Sequence, residues 1–169
     1  VVPGPYTVEL TAAGQTVQQQ ITVALDPRVH ATQADLEAQL ALARRILSGI
    51  KLSYDEYQDQ ATLATALEEA KKGKTIDTAE LEKKIKAVTE GSRTVPGLGP
   101  VNRDLTRLLD SVEAADQHPT EPQIQAVNQV CDALVKATAL WKSLNEELQK
   151  QNPLNLPIAP APPTSGCTQ

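Results

Sequence analysis

Phenylalanine and methionine are absent from this 169-residue chain, and three Tyr and one Trp are its only aromatic residues. Its core must therefore be aliphatic, built from Leu, Val, Ile and Ala, which suits helices meeting along narrow seams. No apolar run approaches the roughly 18 residues that a membrane span needs. A formal charge of -5, spread over both signs, gives no basic field for a phosphate backbone and excludes nucleic acid as a partner. The two cysteines, Cys131 and Cys167, are too few for a disulfide framework and too far apart for a zinc motif. Hydrophobic residues still make up 40% of the chain, enough for a globular core.

The first residues read as the end of a domain. Tyr6, Val8 and Leu10 alternate with polar residues at the period of a half-buried strand. After a polar turn at Ala13-Gly14-Gln15, Val17, Ile21, Val23 and Leu25 make a second alternating run. Two strands alone are marginal in water, so this hairpin is expected to be completed by strands outside the sequence. The chain does not begin with Met, and the upstream pieces are expected to have been removed.

Asp26-Pro27-Arg28-Val29-His30 ends the hairpin, because Pro27 cannot donate to a sheet ladder. Thr32 to Asp35 resembles a capping box that opens a long helix. Apolar side chains recur at Leu36, Leu40, Ala43, Leu47, Ile50, Tyr54, Tyr57, Ala61 and Ala64, in alternating steps of four and three. Such spacing predicts one continuous coiled-coil-like seam, weakened at Gly49 and ending at Lys72 with Gly73 as cap. A shorter helix is predicted from Asp77-Thr78-Ala79-Glu80 to Gly91, burying Leu81, Ile85 and Val88. A third runs from Pro100 or Val101 to Ala115 over Val101, Leu105, Leu108 and Val112. Thr120, Pro122 and Gln123 signal the start of a fourth. It carries Ile124, Val127, Cys131, Leu134, Trp141, Leu144 and Leu148 and reaches Gln151, before Pro153.

The second and third helices together match the first in length. They are expected to form one broken antiparallel partner to it, with the fourth returning beside the first. The expected fold is mainly α, an elongated bundle of four helices in three columns preceded by the β-hairpin. Residues 1–30 form the hairpin region, 31–152 the bundle and 153–169 a proline-rich tail. The tail is expected to lie on the bundle through Leu154, Leu156 and Ile158 and to fray after Pro163.

Little in the sequence suggests chemistry. Glu68-Glu69, Asp55-Glu56 and Glu146-Glu147 are adjacent on helices and so point in different directions, as solvated faces do. His30 and His118 fall in separate connections. Gly97-Leu98-Gly99-Pro100 lacks the strand and the Lys of a phosphate loop. Lys71-Lys72-Gly73-Lys74 reads as charge capping of a helix C-terminus. Cys131, on an apolar stripe, reads first as a core thiol, with a bridge to Cys167 in an oxidising compartment as the alternative. No catalytic, cofactor-binding or metal-ligating residue is assigned. Trp141, Tyr54 and Tyr57 are the candidate interface residues, since Trp and Tyr anchor binding surfaces; for Trp141 a core position is the plainer reading, with the two tyrosines packed near it.

Four motifs carry a resemblance: Pro3-Gly4-Pro5-Tyr6-Thr7-Val8, Asp26-Pro27-Arg28-Val29, Ala115-Asp116 with Pro119-Thr120, and Trp141 with Leu144-Asn145 and Leu148. Together they resemble the C-terminal region of bacterial sortilin-like, BNR-repeat β-propeller proteins, often labelled glycosyl hydrolases. The similarity runs from Pro3 to about Pro157. It implies a secreted, periplasmic or cell-surface protein in which a propeller leads into an immunoglobulin-like β-sandwich, whose last two strands would be this hairpin. It also implies that any active site belongs to the propeller. The expected function is a non-catalytic structural or interaction module, with the rest of its own polypeptide, another protein or a second copy as partner. The rival expectation is an accessory segment that walls the active site of a glycoside-hydrolase-like enzyme. A free-standing helical inhibitor or adaptor is the third.

Overall fold

The computed structural model describes residues 2–72, 77–160 and 166–168. Two strands, β1 (Gly4–Ala12) and β2 (Gln15–Val23), form an antiparallel hairpin in which Tyr6 faces Ile21 and Leu10 faces Val17. Ala13 and Gly14 close it with φ of 50° and 76°. A two-residue turn with both central residues at positive φ matches the right-handed twist of the flanking strands, and Gly14 adopts that conformation without steric cost.

Four helices follow: α1 (Gln33–Lys71), α2 (Ala79–Thr89), α3 (Leu98–Val112) and α4 (Glu121–Lys150). The 39 residues of α1 span about 58 Å at the α-helical rise. Thr32 and Asp35 form the expected capping box on α1, and Thr120 and Gln123 form the one on α4. Between them they satisfy backbone donors that a helix start otherwise leaves unpaired. Helix α3 begins at Leu98 and stops at Val112, a few residues earlier at each end than expected. The expected cap at Gly73 lies outside the described residues.

Three columns result. Gln39 of α1 donates to the carbonyls of Val112 and Ala115, whereas Asn102 reaches Ile50 and Ser53, so α3 runs antiparallel to α1. Helix α2 continues that column, with Lys71 paired to Glu82. Arg45 donates to Asn128, and Thr138 to Glu56 further along, so α4 lies parallel to α1. This is the broken-partner arrangement expected from helix lengths. One core runs through it, from Ile46, Leu105, Val127 and Leu134 to Leu63, Leu67, Val88 and Trp141. No strand packs against a helix among the described residues.

The seam of α1 is not the one its heptads suggested. Leu36 and Ala43 are buried as expected, but Ile46 is buried in place of Leu47, which is 48% exposed. From there the buried positions are Gly49, Leu52, Ser53, Glu56, Gln60, Leu63 and Leu67. Tyr54 and Tyr57 are 55% and 38% exposed, whereas Trp141 is 1% exposed. The reason lies in close approach. A side chain added at Gly49 would meet Cys167 Sγ at 2.7 Å, Leu105 at 3.0 Å and Leu134 at 3.5 Å. The neighbouring column therefore enters at the small residues Gly49 and Ser53, rotating the larger Leu47, Tyr54 and Tyr57 outward.

Candidate functional site

Uncovered apolar surface concentrates on the hairpin. Its two faces differ sharply in chemistry. On one, Glu9 accepts from Gln18 at 2.7 Å, Thr7 from Gln20 at 2.7 Å, and Thr11 pairs with Thr16 at 2.9 Å. Cross-strand polar pairs of this kind are content in water. The other face carries Tyr6, Val8, Leu10, Val17, Ile21 and Val23, with Gln19 opposite Val8 as its one long polar side chain. Leu10 and Val17, directly opposite each other, are 62% and 63% exposed. Sheets that are wet on one side normally bury the other, and here no helix does so.

A second exposed apolar group lies on α1, where Leu47, Tyr54 and Tyr57 occupy one flank. The candidate interface residues thus divide. Tyr54 and Tyr57 present surface, whereas Trp141 is 1% exposed and belongs to the core. As an anchor for a partner, Trp141 is not accessible in this arrangement.

Residues 166–168 of the C-terminal tail are fastened. Cys131 and Cys167 form a disulfide across a separation of 36 residues. Cys131 does occupy the core, but not as the free thiol that was its first reading. Thr168 is held at both backbone atoms by Ser48, whose Oγ accepts from its N–H at 3.0 Å and donates to its carbonyl at 2.9 Å. Residues 166–168 are therefore anchored, not frayed. Nearer α4, Asn152 donates to the carbonyl of Leu156 and accepts from its N–H, both at 2.8 Å, and Leu156 is buried.

Polar residues interrupt the α1–α4 seam. Asn102 of α3 donates to Ser53 Oγ at 2.9 Å, and Ser53 donates to the Gly49 carbonyl at 2.8 Å. One turn on, Thr138 donates to Glu56 Oε2 at 3.0 Å. Glu56 is 2% exposed, and its burial pushes the carboxyl up to about 7 against that one stabilising hydrogen bond. Asp59 is also raised, first by partial burial and then by the charge of Asp55. Glu56, read from the sequence as part of a solvated acidic face, is instead buried, and neither Gln60 nor Thr138 stood out in the sequence. A signal was present: Ile46 and Gly49 at one end and Leu63 and Leu67 at the other define a stripe whose middle positions are Ser53, Glu56 and Gln60.

The remaining candidates are scattered. His118 Nδ1 lies 3.2 Å from Asp35 Oδ1 at the start of α1, and Asp35 is held low mainly by hydrogen bonds from Thr32. His30 lies in the connection before α1. Lys71 bridges Glu68 and Glu82, Lys72 pairs with Glu69, and Lys84 with Glu147, all at the surface. Exposed pairs of this kind contribute little to stability. A groove of about 410 Å³ between α2 and the end of α4 is floored by Leu81, Leu144, Leu148 and Leu156. Among the described residues, no three His, Cys, Asp or Glu side chains converge as a metal site would require, and no helix is long and apolar enough to cross a membrane. No known protein family, curated protein or solved structure matches this chain.

Proposed function

We propose that this chain is a non-catalytic interaction module. Its hairpin completes a β-sandwich of immunoglobulin-like type in the same polypeptide, and its helical bundle forms a rigid extension from that sandwich. The observation that carries this reading is the two-faced hairpin, with a hydrogen-bonded polar side and an opposite side on which Val8, Leu10, Val17 and Ile21 are uncovered and Tyr6 is half-buried. Sheets in sandwiches pack face to face about 10 Å apart through such alternating residues. The bundle, in contrast, has a core of its own.

Other observations support the same reading. The only two cysteines are joined to each other, so neither offers a thiolate nucleophile. The two histidines lie in different connections, and the one acid buried among the described residues, Glu56, sits inside a seam and not in a cleft. A disulfide persists in oxidising compartments, which favours the secreted, periplasmic or surface location proposed with this family resemblance. The sortilin-like, BNR-repeat parentage is part of the proposal.

Hydrogen exchange tests it. In the parent polypeptide, amides of residues 4–23 exchange far more slowly than in this chain alone, while α1 and α4 exchange alike in both. Equal exchange of the hairpin in the two contexts would refute the sandwich role. Glycoside hydrolysis by this chain alone, abolished by a single substitution that leaves the bundle folded, would refute the non-catalytic one.

A further inference from the structure

The seam between α1 and α4 changes character along its length. It is apolar around Ile46, Leu134 and Cys131, and apolar again around Leu63, Leu67, Leu144 and Leu148. Between these stretches lie Glu56 and Gln60 on α1 and Thr138, Trp141 and Asn145 on α4, none more than 4% exposed. Within this set Glu56 Oε1, Trp141 Nε1 and both amide atoms of Asn145 have no hydrogen-bond partner. Folded proteins leave few buried polar atoms unpaired, and each such atom asks for an explanation. Here they share one stripe.

Glu56 is the only ionisable side chain buried among the described residues. Its charged surroundings give it no counterion. From α1 it feels Asp59, which is itself an acid. From α4 it meets the hydroxyl of Thr138, while Lys142, one turn further along, is at the surface within 4.0 Å of Glu146. The second column presents Val88, Leu98 and Val101 to the core, and no buried charge. An ionised carboxylate would thus be buried with one donor and no cation, a strongly unfavourable state. Two idle donors, Trp141 Nε1–H and Asn145 Nδ2–H, stand further along the α4 stripe and would serve a hydrated carboxylate if water entered.

We propose that Glu56 and Thr138 form a proton-operated latch between α1 and α4: with the acid neutral the seam is closed, and transfer of its proton to solvent admits water, loosens the middle of α4 and uncovers Trp141. The protonated carboxyl needs no counterion, so the closed seam tolerates it. The deprotonated one gains hydration only by parting the helices. Burial holds Glu56 in its acid form up to about pH 7, so the latch works near neutrality.

Trp141, the chain's single tryptophan, reports on the seam directly. Its emission and its quenching by acrylamide are followed from about pH 5 to about pH 8.5, the range in which histidine is the ordinary titrating side chain. In the unmodified protein, quenching rises severalfold and emission shifts to the red with a midpoint near neutrality, while far-ultraviolet dichroism stays helical. Glu56→Gln keeps the acid-form signal throughout. Thr138→Val moves the midpoint to higher pH, because the lost hydrogen bond favoured the ionised form. His118→Asn, which alters the ion pair with Asp35 near the start of α1, leaves the transition in place. A Trp141 signal indifferent to pH in the unmodified protein overturns the latch. So does a transition that survives in Glu56→Gln or vanishes in His118→Asn.

Discussion

Replacing Cys167 by Ser should remove a large part of the bundle's stability. The bridge to Cys131 closes a loop across a separation of 36 residues. In the chain-entropy treatment, a loop of that size restricts the unfolded chain by about 4 kcal/mol at room temperature. The folded side adds to this. Cys167 lies against Gly49, and Ser48 holds both backbone atoms of Thr168, so the tail is already shaped to its place and the bridge should not strain it. Against a domain stability of about 5 to 15 kcal/mol, a loss of about 3 to 4 kcal/mol is severe. Urea unfolding followed by helical dichroism measures it, with a dithiol-treated sample of the unmodified protein as the second arm. Both should lose the same amount, and both should show a steeper denaturant dependence, because an unlinked unfolded chain exposes more surface. Cys131 remains in the core as a small apolar thiol in the Ser variant, so no cavity complicates the comparison. A loss below about 1 kcal/mol would refute the reasoning, showing that the tail contributes almost nothing to the constraint on the chain.

Gly49→Ala should destabilise despite the usual gain of about 1 kcal/mol for Ala over Gly in a helix, because the new Cβ meets Cys167 Sγ at 2.7 Å and Leu105 at 3.0 Å. In a Cys167→Ser background its thermal melt should show a smaller penalty, the sign of a direct coupling. Ile46→Ala should cost about 2 to 5 kcal/mol, while Leu47→Ala, at a site 48% exposed, should cost far less in the same denaturation assay. Equal losses at the two positions would restore the heptad seam. Stability should fall as pH rises from about 4.5 to about 7, since the raised Glu56 favours folding fully below its unfolded value and loses that contribution on passing its folded one. The change is about 3 kcal/mol by the conversion of a shift into free energy, and Glu56→Gln should abolish it in denaturation curves taken across that range.

Helix existence and order, and the N-terminal caps of α1 and α4, were legible in the sequence because their causes are local, whereas Thr78 makes no side-chain cap on α2. Thr32 with Asp35 and Thr120 with Gln123 satisfy donors within three residues of themselves, and Pro27 and Pro153 interrupt hydrogen bonding wherever they stand. The apolar stripes of α3 and α4 were also legible, since Val101 and Leu105 on one and Val127, Leu134, Leu144 and Leu148 on the other recur at helical spacing, although Thr138 and Asn145 interrupt the second. The three-column arrangement followed from relative helix lengths, which only a broken partner reconciles.

The face of α1 was decided by tertiary structure. Two stripes about 100° apart compete along it, one through Leu47, Tyr54 and Tyr57 and one through Ile46, Ser53, Glu56 and Leu63, and periodicity preferred the more hydrophobic. Packing preferred the smaller: Gly49 and Ser53 let α3, α4 and Cys167 approach, and no local preference encodes what a distant segment will bring to a helix. The same holds for the site. Glu56 reads as a surface acid until Thr138, 82 residues away, covers it, and Cys131 reads as a free thiol until the tail returns. Sequence determined which segments become helices and which residues end them. The protonation of Glu56, the oxidation of Cys131 and the exposure of Tyr54 were set by which segments meet, because burial is a property of neighbours and not of the residue that is buried.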